Sequence, residues 1–190
     1  MMKKNINWIY KVFLLSFLLS VIFSGISTVV ADACNSIVLT ILIILVISIG
    51  IIFDMIGVAV LTSKEANLHA KASKKLKGAK EAISLLKNST QVSSICNDVI
   101  GDICGIVSGS LGAVLTINIA NHFHFSTTIT TILVTAVISA LTVGFKAVFK
   151  GVATKNSDTI VFTVGKIISI FKIFVNIDFN FKISTYIYNN

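Results

Sequence analysis

Four long apolar runs divide the chain. The first extends from Trp8 to about Ala31 and the second from about Ser36 to Thr62. The third extends from about Val92 to Ala120 and the fourth from about Thr127 to Val148. Each reaches the roughly 20 residues that a helix needs to cross hydrocarbon. A helix satisfies its own backbone hydrogen bonds where water is missing, so the pattern predicts an all-α membrane protein with four transmembrane helices. The first run has a rival reading. Lys3, Lys4 and Lys11 precede its apolar centre, and Ala31-Asp-Ala33 resembles a signal-peptidase site. Its length exceeds that of a usual signal core, which favours a retained span.

Between the second and third runs, Leu68, Ala72, Leu76, Ala79, Ile83 and Leu86 recur at spacings of three and four. That is one stripe of a helix, and lysines fill its other faces. The spacing predicts a basic amphipathic juxtamembrane helix between spans two and three, over about 64–88. It should lie at headgroup level, held by apolar burial and by anionic lipid. After the fourth run, Asn156 or Ser157 can cap a helix from about Thr159 to Phe174. Its apolar stretch is short and interrupted by Lys166 and Lys172, so it reads as interfacial. Beyond it Val175, Ile177, Phe179, Phe181 and Ile183 alternate with polar residues, the period of a strand. The expected organisation is a four-span domain over 1–150, an interfacial helix over 151–174 and a tail over 175–190.

Composition agrees with a lipid environment. Hydrophobic residues make up 55% of the chain and charged residues only 13%, against about a quarter in soluble domains. The net charge is +8, and all its basic residues are lysines. Their placement orients the bundle. Lysines occupy the N-terminal segment, the loop from Lys64 to Lys87, and the segment from Lys150 onward, whereas the loops around Cys34 and His122 have none. The positive-inside bias predicts a multi-pass cell-membrane protein with both termini cytoplasmic. Nucleic acid is not an expected partner, because arginine forks for phosphate or base recognition are absent.

Ionisable residues inside the spans are costly and therefore informative. Asp54 lies in the second span, Asp98 and Asp102 in the third and Lys146 near the end of the fourth. At the helical rise, Asp54 sits roughly 12 Å from the cytoplasmic end of its span, and Asp98 and Asp102 roughly 9 and 15 Å from theirs. Asp98 and Asp102 are four apart and share a helix face, with Asn97 beside them. These carboxylates and the amide are hard oxygen donors suited to magnesium or a similar divalent cation. The competing expectation is a salt-bridge network in which Lys146 pairs with Asp54 or Asp102. Gly101, Gly105 and Gly109 recur every four residues on the same span and predict a close helix contact beside the acidic face. Cys96 and Cys104 read as inert small core residues. His122 and His124 lack acidic neighbours and do not suggest a metal site. No phosphate-cradling loop, nucleophile elbow or zincin motif is present, so no enzyme and no prosthetic group are expected.

The order of parts resembles a known family. A basic segment ending in Leu85-Leu-Lys-Asn88 leads to Ser94-Ile-Cys-Asn-Asp-Val-Ile-Gly-Asp102, and the last span closes at Lys150 and runs on through Gly151-Val-Ala-Thr-Lys-Asn-Ser-Asp-Thr-Ile160. Over about residues 48 to 165 this resembles the transmembrane domain of the CorB/CNNM magnesium and cobalt transporters, in the short CorB-like form without regulatory domains. The resemblance implies divalent-cation transport, with magnesium, cobalt or another divalent ion as substrate, and a homodimer. It implies metal ligation by Asp54, Asn97, Asp98 and Asp102. Asn97 matches an ion-binding asparagine of the family, Asp102 replaces a second asparagine, and Asp54 stands at a serine position. The departures are Ile56 at a second serine, Phe149 at a proline and Lys146 at a glutamate that helps hold the ion. An ammonium there repels a divalent ion. The alternative is a non-transporting membrane scaffold or regulator in which Lys146 neutralises the carboxylates.

Overall fold

The computed structural model describes residues 2–32 and 34–175. All the regular structure among them is helical. The chain forms α1 (Met2–Asp32), α2 (Ser36–Thr62), α3 (Glu65–Ser73), α4 (Ala79–Lys87) and α5 (Ser89–Ser94). A π-helical segment, Ile95–Gly101, then joins α5 to α6 (Asp102–Phe123), and α7 (Thr127–Lys155) and α8 (Ser157–Val175) follow. Four stretches are long and apolar enough to cross a membrane: Phe13–Ala31, Ser36–Thr62, Ser89–Phe123 and Thr127–Lys155. The all-α, four-span expectation holds, and length and hydropathy make this a multi-span membrane protein. The alternating stretch expected beyond Val175 lies outside the described residues.

The chain has no proline, so nothing in its covalent structure breaks these helices. Hydroxyl side chains within them bond back to their own backbone. Thr40 donates to the Ser36 carbonyl at 2.8 Å, Ser48 to Ile44 at 2.7 Å and Thr116 to Gly112 at 2.8 Å. Such bonds satisfy a polar group without a partner helix. The turn after α6 closes on His124, whose left-handed φ of 54° turns the following Phe125 N–H back to the Ala120 carbonyl at 3.1 Å.

The helices meet along rows spaced by four. Leu39, Ile43, Ile47 and Ile51 of α2 are buried against a row from the third span, Val99, Ile103, Val107, Leu111 and Leu115. Rows at this spacing form the ridges by which helices interdigitate. α6 is also flanked by α1 and α7. Ser24 of α1 and Ser110 of α6 share a hydroxyl contact of 3.2 Å.

Close approach comes from a different set of glycines than the spacing in the third span suggests. A methyl group at Gly50 of α2 would lie 2.9 Å from Cys104 Cβ, and one at Gly57 would overlap the Asn97 amide. Gly105 and Gly109 face open space. Of the expected glycine row, only Gly101 packs against the bundle; the other two lie on the face that α1, α2 and α7 leave bare.

The lysine-rich end has its own small core. Ala59, Val60, Leu68, Ala82, Leu86, Val92, Cys96, Ala153 and Val161 are buried together. The amphipathic stretch is helical as expected but folds as two helices, α3 and α4, with a turn at 74–78. Lys75 and Gly78 take left-handed φ values of 54° and 88°. The turn lets Gly78 meet Gly165 of α8, where a β-carbon on Gly165 would strike the Gly78 carbonyl and the Ala82 backbone nitrogen. Leu68, Ala79 and Leu86 of the predicted stripe are buried, while Leu76 sits in the turn and is exposed.

Candidate functional site

Asp54 is the centre of the intramembrane charge. It is 4% exposed and lies on the α2 face that also carries Gly50 and Gly57, one turn to either side. Two ammonium groups reach it from α7. Lys150 Nζ is 3.4 Å from Oδ2 and Lys146 Nζ is 4.0 Å from Oδ1. Lys146 and Lys150 are one helical turn apart, so one face of α7 supplies both. The pair passes over Gly101, whose missing side chain leaves the room: a methyl group there would lie 3.5 Å from Lys146 Nζ and 3.6 Å from Asp54 Oδ1. This is why the glycine of the π segment faces inward.

Neither lysine completes a well-shaped hydrogen bond to Oδ2, which lacks a hydrogen-bond partner among the described residues despite the proximity of Lys150. The contact is thus chiefly electrostatic. Asn97 lies nearby along α2, with its amide against Gly57. Its Nδ2 donates to Ser93 Oγ at 3.2 Å, and its Oδ1 is buried without a donor among the described residues. The residues that bring Asn97 here are in the π-helical segment, a form that recurs at functional sites because it displaces side chains from the ordinary helical register.

Asp98 and Asp102 do not join this group. Both are exposed, and they share the face of the third span that bears Gly105 and Gly109. The expected set of Asp54, Asn97, Asp98 and Asp102 is therefore divided: Asp54 and Asn97 point toward the bundle, and the other two point away from it. Among the described residues no group of three or more His, Cys, Asp or Glu side chains is arranged to hold a metal ion. Lys150, which the sequence suggested only as the end of a span, is the closer of the two partners of Asp54. Its spacing of four from Lys146 is the signal that identifies it.

A second polar cluster ties the lysine-rich end together. Asp158, in the first turn of α8, receives a hydrogen bond from Ser63 Oγ at 2.6 Å and one from the Lys64 backbone N–H at 2.9 Å. Asn67 Nδ2 donates to its other oxygen. Partial burial pushes its carboxyl upward, but these three donors and the nearby Lys71 ammonium outweigh that and hold it below the usual carboxylate range. One side chain thus links the end of α2, the start of α3 and the start of α8. No local motif marks it, since its partners are more than 90 residues away in sequence.

Comparison of the chain with protein-family models, curated proteins and solved structures finds no match.

Proposed function

We propose that the protein is a non-transporting membrane scaffold or regulator of CorB-like layout, in which lysines occupy the place a divalent ion would take. The observation that carries this reading is the contact of both Asp54 oxygens with ammonium groups, Lys146 and Lys150. Two cations beside one carboxylate leave a net positive charge at the site, which opposes entry of a divalent cation. The lysine-rich end faces the cytoplasm by the positive-inside bias. The bare face carrying Asp98, Asp102, Gly105 and Gly109 suits a second copy of the chain, since small residues permit close helix approach and carboxylates are poorly placed against lipid.

Magnesium or cobalt transport is the second reading. It is favoured by the buried, donor-free oxygens Asp54 Oδ2 and Asn97 Oδ1. Calorimetry and thermal-shift measurements with magnesium and cobalt on the purified protein separate the two. The scaffold reading expects no saturable response, and Lys146→Glu should lower stability without creating one. Saturable binding by the parent, or tight binding gained by Lys146→Glu, would establish the ion site instead.

A further inference from the structure

We infer that the turn between α3 and α4, together with the second half of α8, forms a headgroup site for an anionic phospholipid. The site does not depend on how Asp54 is read. A cleft of about 440 Å³ is lined by Leu76, Lys77, Phe162, Lys166, Ser169 and Ile170. A neighbouring cleft of about 580 Å³ shares Leu76, Lys77 and Ser169 with it and adds Lys75 and Lys80, with Glu81 as its carboxylate. The left-handed residues Lys75 and Gly78 hold this turn open, and the Gly78–Gly165 contact fixes it against α8.

The charge arrangement calls for an anion. Phe162 carries an ammonium from two sides of the fold, Lys71 at 4.5 Å and Lys166 at 4.8 Å from the ring centroid. Lys71 also lies near Asp158, whereas Lys166 shares its cleft with Lys77, and a single carboxylate, Glu81, lies among the lining residues of the two clefts. A phosphodiester supplies negative charge and acceptor oxygens that ammonium groups can bond.

The surroundings identify the anion as lipid. Beside the same lysines, Ile167, Ile170 and Phe171 are 50%, 61% and 65% exposed, and Leu76 is 45% exposed. This apolar row needs hydrocarbon, while lysine stems can lie along it with their heads at phosphate level. A molecule with a phosphodiester and an acyl chain satisfies both halves of the surface; a free phosphate satisfies one.

The test uses the full chain, purified in detergent and exposed to equimolar phosphatidylglycerol and phosphatidylcholine, with retained lipid read by native mass spectrometry. Phosphatidylglycerol should be retained preferentially. Lys77→Gln with Lys166→Gln should reduce that preference on the order of tenfold, given the usual contribution of a lysine near anionic lipid. Lys87→Gln with Lys155→Gln removes the same charge outside the clefts and should change it little. Ser169→Trp fills both clefts without altering charge and should also abolish the preference, which keeps the test decisive if the double lysine variant fails to fold. Equal loss in the Lys87/Lys155 control, equal retention of the two lipids, or displacement of phosphatidylglycerol by millimolar inorganic phosphate would each overturn the assignment.

Discussion

Lys150 brings its ammonium within 3.4 Å of Asp54, from a helix that begins 91 residues after the aspartate's own. The contact crosses between α2 and α7 at the level where Gly101 leaves room for it. Half of the Lys150 side chain remains exposed, whereas the Asp54 side chain is 5% exposed. The aspartate is therefore the partner that needs the contact.

Removing both lysines should strand the carboxylate. Lys146→Ala with Lys150→Ala is expected to destabilise the protein by about 3 kcal/mol, the usual penalty for an uncompensated buried charge. Adding Asp54→Asn should recover most of that loss, because an amide needs no counter-ion. Thermal denaturation in detergent measures both. A triple variant as unstable as the double would mean that the lysines act through packing.

Gly165→Val should detach α8 from α4. The new side chain meets the Gly78 carbonyl and Ala82 backbone nitrogen, which cannot move aside as a flexible side chain would. Overpacking of this kind costs about 1–3 kcal/mol. Hydrogen exchange should show faster exchange confined to α4 and α8, with the rows along α2 and α6 unchanged.

The attachment of α8 should depend on acid. Asp158 has a depressed carboxyl pKa in the folded protein, so the unfolded state binds its proton first as pH falls. Its contribution is present above the unfolded value of about 3.9 and disappears as pH drops through the lower folded value. Proteolysis of α8 in the parent should accelerate over that acidic interval. Asp158→Asn should accelerate it at neutral pH and flatten the acid dependence. A parent profile unchanged by the substitution would count against the linkage.

Gly105→Leu with Gly109→Leu tests the bare face. Among the described residues neither position has a neighbour within 4 Å of an added β-carbon, which leaves room for both side chains. Crosslinking in membranes should lose a dimer band while the melting temperature of the isolated chain stays within a few degrees. Persistent dimers would move the contact elsewhere.

The spans were legible because apolar length is a local property of the chain. The basic stretch was legible as helix for the same reason, but its break at 74–78 was not: the turn is fixed by Gly78 meeting Gly165, a contact far along the sequence. Depth along each span predicts Asp54, Asp98, Asp102 and Lys146 near one level, and Asp54 and Lys146 do meet. Depth does not set rotation about the helix axis, and rotation is what separates Asp98 and Asp102 from Asp54. Glycine spacing similarly identifies a small-residue face without saying which neighbour it meets, an internal helix or a second copy; Gly105 and Gly109 lie outside the bundle. Asp158 was invisible for a third reason. Its role comes from donors on α2 and α3 that converge only after the bundle has formed.

The seven residues of the π segment, Ile95–Gly101, have a bearing on evolution and engineering. A single residue turns an α-helix by about 100°. Removing one residue between Asn97 and Asp102, without changing any other, would rotate Asn97 and the chain before it relative to everything after Asp102. At this place the number of residues is itself a heritable instruction, and an alignment gap there would alter which side chains meet α2 more drastically than most substitutions could.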